Sequence, residues 1–199
     1  MIREMEIGKM NYKMNTFEKE LKYIKDDGIR NFTEIILESL PDYFFEIPAS
    51  SSGRFHPSYA LGEGGLVRHT KAAVGIAQHL FGCDTITGTF SRSAKDCIIA
   101  ALILHDGVKK GVNGKEGMST THPILVTNLI KKTDKALKCI TNEELDKITK
   151  SIESHMGQWN YDFKIKKAVL PKPKGGIASF VHMCDYLASR KSIEYNFEV

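Results

Sequence analysis

The stretch "CIIAALILHD", residues 97–106, constrains the fold more than any other part of the chain. Its eight apolar residues run without alternation, too few to cross a membrane and suited to a helix enclosed on all sides. Such a helix needs several others packed around it. The run ends in His105 and Asp106, two ionisable side chains at the edge of the most apolar segment. Burying that pair is costly unless opposite charge or several donors stand beside it. The remainder of the chain has to provide them.

The flanking sequence reads as helix after helix. Asn15 and Glu18 have the spacing of a capping box opening a helix through residue 27, Gly28 interrupts it, and the pattern resumes until Pro41. Residues 41–63 are rich in Pro, Ser and Gly and read as a long ordered loop, a kind that more often serves function than not. Leu66, Val67, Val74, Ala77 and Leu80 mark a helix from 64 to 81, and 93–105 is the central one. After a polar, glycine-punctuated loop come helices over 122–138 and 142–155, the second capped by Asn142. A second long loop carries five lysines between Lys164 and Lys174, with material for a short strand at 164–170. The last helix is expected from about Ile177 to Glu194. The class is therefore all-α, with residues 1–40 a helical extension ahead of a unit spanning 41–199.

Composition narrows the setting. With 42% hydrophobic and 26% charged residues, 199 residues supply one core of ordinary size. A formal charge of +4 permits a polyanionic partner without demanding one. Cys83, Cys97, Cys139 and Cys184 are scattered with no C-x-x-C, as expected of reduced thiols. The first fifteen residues lack the apolar core of a secretory leader. These features predict a soluble, cytoplasmic protein with no membrane partner.

Other residues share the difficulty of His105 and Asp106. His69 replaces an apolar residue near the buried stripe of its helix, and Asp185 borders the apolar face of the last helix with no cation at i±4. A divalent ion held by His69, His105, Asp106 and Asp185 satisfies all four, because it supplies the missing positive charge and keeps the histidines deprotonated. His122 and His155, each at a loop–helix junction, complete a second site with Asp106 as the bridge. Two such ions activate water and steady a phosphoryl oxygen.

The order His69, His105-Asp106, His122, His155, Asp185 on successive helices resembles the HD-domain phosphohydrolase superfamily, and "HDGVK" is similar to its frequent H-D-x-x-K. The stretches "PASSSGRFHPSYALGEGGLVRHT", "SHMGQW" and "VLPKPKGGIASFVHMCDYLASR" look more closely like the HD domain of a bacterial exoribonuclease family that trims RNA from its free end. The resemblance covers about residues 40–195. It implies a multi-helix HD bundle around a buried metal site and metal-dependent hydrolysis of a phosphomonoester or phosphodiester. The expected substrate is a nucleotide or single-stranded nucleic acid. Two departures stand out: the OB-fold that precedes the domain in that family has no counterpart here, and Gly107 occupies a position usually apolar.

Expected roles follow. Asp106 and Lys109 carry the catalysis, while Lys109 and Arg54 contact substrate phosphate, the guanidinium through its planar fork. His56, in the same loop as Arg54, is a further candidate for that phosphate or equally a loop hydrogen-bonder, and a solvated lysine is the alternative for Lys109. The metal is one or two ions of manganese, iron, nickel, cobalt or zinc. His79 and His182 are expected to be structural, and Trp159 and Tyr161 to fill gaps or stack on a base. Rival functions are an HD-fold di-iron oxygenase and a non-catalytic nucleotide or RNA sensor.

Overall fold

A computed structural model of the chain describes residues 12–50, 52–114, 117 and 119–193. It is all-α apart from one small hairpin. α1 covers residues 12–16, followed by α2 (Glu18–Leu21), α3 (Asp27–Ser39), α4 (Gly65–Phe81), α5 (Asp84–Thr87) and α6 (Arg92–Leu104). Then come α7 (His122–Leu137), α8 (Asn142–Ser154), the antiparallel pair β1 (Tyr161–Asp162) and β2 (Lys167–Ala168), and α9 (Gly175–Ala188). Strand β2 falls inside the 164–170 segment.

The apolar run behaves as its composition dictates. No residue from Cys97 to Leu104 is more than 1% exposed, and α3, α4, α8 and α9 all pack on α6. Ile29, Phe32, Ile36 and Leu37 of α3 belong to the same core as α6 and α9, so the helices before residue 41 are built into the bundle. Buried Asp96 ties them further, accepting from the backbone N–H groups of Lys25 (3.1 Å) and Asp26 (2.9 Å). Cys97 and Cys184 are buried free thiols, and burial pushes the Cys97 thiol up to about 12. Among the described residues no helix is long and apolar enough to cross a membrane.

Several boundaries differ from those expected. Asn15 lies within α1, and α2 has no side-chain cap, so the Asn15–Glu18 capping box does not form. Gly28 sits in the first turn of α3; the break comes earlier, and Asp26 caps the helix by accepting from Ile29 N–H at 2.9 Å. Thr141 rather than Asn142 caps α8: its Oγ1 accepts from Glu144 N–H, and Glu144 Oε2 accepts from Thr141 N–H. The hydroxyl sits one residue earlier and closes a reciprocal box that Asn142 has no partner for. α9 stops at Ala188, where Ser189 Oγ donates back to Tyr186 O at 2.7 Å and competes with helical continuation. Glu194 lies outside the described residues. The 41–63 loop contains two 3-10 turns, Asp42–Phe45 and Ser58–Ala60, and hydrogen-bonds to α4 through Leu66 N–H and Ile47 O at 2.9 Å. At Gly107 a Cβ would lie 2.6 Å from a Leu40 methyl, so a side chain there would require the buried Leu40 side chain to shift.

Candidate metal centre

The ends of helices build this site. His105 and His155 occupy the C-cap positions of α6 and α8, where the last carbonyls lack helical partners. Each ring turns back on its own helix, placing Nδ1 2.7 Å from Leu102 O and Ile152 O respectively. His122 opens α7 beside Pro123, and its Nδ1 lies 2.7 Å from Ser119 O. A carbonyl oxygen can only accept, so all three Nδ1 atoms carry a proton and donate. A ring of this tautomer, when neutral, presents a bare lone pair at Nε2.

Those lone pairs converge on carboxylates and on each other. Nε2 of His122 lies 3.3 Å from Nε2 of His155 and 2.8 Å from Asp106 Oδ1; His155 Nε2 is 3.6 Å from the same oxygen. His105 Nε2 stands 3.5 Å from Asp106 Oδ2 and 3.5 Å from Asp185 Oδ1. His105, Asp106, His122 and His155 are all buried, and His105 Nε2 and Asp106 Oδ1 have no hydrogen-bond partner. Acceptors thus face acceptors at the floor of the cleft, an arrangement that a cation, added protons or donated hydrogen bonds would relieve.

Among the described residues, three sets of side chains have ligand atoms close enough to share one ion: His69, His105 and Asp106; His105, His155 and Asp185; Asp106, His122 and His155. These buried histidines and aspartates can hold a metal ion. Comparison with family models, curated proteins and solved structures finds no match for this chain. The site therefore has to be read from its own atoms.

Its electrostatics agree with the geometry. Burial opposes the charge on Asp106, yet Lys109, His105 and His122 outweigh it and hold the carboxyl well below its ordinary range. Asp185 is lowered likewise, burial being overcome by His105 and His69. Burial also resists protonation of His105, but Asp106 and Asp185 together push that imidazole up. His122 goes down because burial exceeds the help it receives from Asp106.

The six histidine and aspartate positions singled out in the sequence meet in one cluster. His69, on α4, differs from the other histidines: its Nε2 is 2.9 Å from Asp185 Oδ1 and its buried Nδ1 has no partner. Lys109 reaches Asp106 Oδ2 at 2.5 Å and lines a cleft of about 420 Å³ over the cluster. Arg54 does not join them; it is exposed, 5.2 Å from the Phe55 ring, and Arg190 lines the cleft instead. Trp159 also lines it, whereas Tyr161 packs against Phe163 at the hairpin. His79 is exposed on α4.

Two further histidines stand beside the cluster. His56 lines the cleft with a buried, unpartnered Nδ1, its ring 5.5 Å from that of His69. Burial, helped by His69 and Lys109, brings its pKa down to about 4. His182 donates from Nδ1 to His155 O at 2.6 Å, so this residue fixes the backbone of His155. Neither role has a sequence signal beyond proximity to "PASSSGRFHPSYA" and to Asp185.

Proposed function

We propose that the protein is an HD-type, metal-dependent phosphohydrolase that cleaves a phosphate ester in a nucleotide or single-stranded nucleic acid. The observation that carries this reading is the buried packing of Nε2 lone pairs against the Asp106 and Asp185 carboxylates. The donor set fits divalent ions such as manganese, iron, nickel, cobalt or zinc. His69, His105, Asp106 and Asp185 would hold one ion, and His122 and His155 a second with Asp106 shared. Bound there, such ions supply an acidified water and charge stabilisation for a phosphoryl oxygen.

The chain's own groups do the rest. Carbonyl acceptors at Leu102, Ser119 and Ile152 lock the tautomers of His105, His122 and His155, leaving those three Nε2 atoms available for ligation. Lys109, beside Asp106 and on the cleft wall, brings a fixed positive charge to the side where phosphate oxygens enter.

The test is elemental analysis of freshly purified protein, coupled to a screen of phosphate esters, nucleotides and short RNA and DNA. Asp106→Ala is expected to lose both metal and turnover while keeping its helical circular dichroism. Full hydrolytic activity in that variant would overturn the mechanism. Oxygen consumption after iron loading, without ester cleavage, would favour an oxygenase; tight nucleotide binding without turnover would favour a sensor.

A further inference from the structure

At the mouth of the cleft, Phe55 and Trp159 remain 56% and 47% exposed, unusual for large rings that a core has room to cover. They are not scattered. The Arg190 guanidinium carbon lies 5.8 Å from the Phe55 ring centre, 5.5 Å from Trp159 and 4.6 Å from Tyr186. Tyr186 stacks on Trp159 at 5.7 Å with 17° between planes. The loop bearing Phe55 is pinned to the end of α9: Lys191 N–H donates to Phe55 O at 3.1 Å, and Tyr59 Oη donates to Ala188 O at 2.8 Å.

Among the described residues the Arg190 guanidinium donates to its neighbour Ser189 Oγ and pairs with no carboxylate. Exposed rings around such an arginine suit a flat, electron-rich ligand that carries acceptors. A cationic ligand would be repelled by Arg190 and Lys109. A bare sugar phosphate would leave the rings uncovered. We propose that Phe55, Trp159 and Arg190 form a nucleobase platform, so that the ester taken by this protein is a nucleotide whose base stacks at the cleft mouth. A cleft of about 420 Å³ lies within the roughly 300–1,000 Å³ range of small-molecule sites, enough for one nucleotide. This inference rests on the phosphohydrolase reading for what happens to the phosphate, not for the binding of the base.

Trp159 is the sole tryptophan, so intrinsic fluorescence reports directly on the platform. Adenosine, guanosine and uridine, titrated into the purified full chain, are expected to change that signal saturably, and ribose is not. Arg190→Ala and Phe55→Ala should each weaken nucleoside binding roughly 5- to 150-fold with metal content as in wild type, while Phe55→Tyr keeps binding. A pentanucleotide binding more tightly than a nucleoside monophosphate identifies a strand end as the source of the base; equal affinities identify a free nucleotide. Ribose matching the nucleosides, or no saturable nucleoside signal, overturns the platform. If base-free glycerol phosphate is then still hydrolysed, the phosphohydrolase reading survives alone. Nucleoside binding without turnover of any ester upholds the platform and removes that reading.

Discussion

Gly157→Ala tests how the centre is held from behind. Gly157 follows His155 by two residues and has φ of 58°, a conformation that costs a non-glycine residue about 1–2 kcal/mol. A Cβ there would fall 2.8 Å from Nδ1 of His182 and closer still to Cε1 and Nε2. Ordinary contact needs about 3.5 Å, so the ring must retreat by about 1 Å. The 2.6 Å hydrogen bond from His182 to His155 O cannot survive that shift, a further loss of about 0.5–1.5 kcal/mol. The expected cost is about 2–3 kcal/mol, or a melting temperature lower by about 4–12 °C for a chain of this length. Urea unfolding of wild type, Gly157→Ala, His182→Ala and the double variant measures it. With His182 removed, the glycine substitution should cost only its backbone part, a coupling of about 1 kcal/mol. Because His155 moves too, metal affinity should fall about 10- to 100-fold. Gly157→Ala costing as much in the His182→Ala background as in wild type would refute the reasoning.

Other expectations can be measured on the same material. Divalent metal at 1,000 times its Kd should raise unfolding free energy by about 4 kcal/mol, and a chelator should reverse the shift; thermal melts unmoved by either would deny a metal site. Phe32→Ala, on α3 and 1% exposed, should cost about 3–5 kcal/mol in urea unfolding through a single transition. An early separate transition would show that the first helices stand apart from the bundle.

The helical class was legible because residues 97–104 of α6 are apolar on every side and because α4 and α9 keep regular spacing. Helix ends were less so. Thr141 and Asn142 are both good caps, and only the reach of Glu144 decides between them. The six clustered side chains could be found by type and order, since buried histidine and aspartate demand compensation wherever they occur. Arg54, His56 and Arg190 could not be ranked this way. All three sit on loops or just past a helix end, and long-range pins such as Tyr59 to Ala188 O bear on which of them face the cleft. His182 looked unremarkable because its partner is a backbone carbonyl, which every sequence contains.

His105 and His155 lean on carbonyls one turn back in their own helices. The aim of both imidazoles is therefore inherited from the final winding of α6 and α8, and anything that frays those turns swings the rings from a distance. Grafting this cluster onto another scaffold would mean carrying over the helix termini as well, since the imidazoles alone have no means of staying aimed.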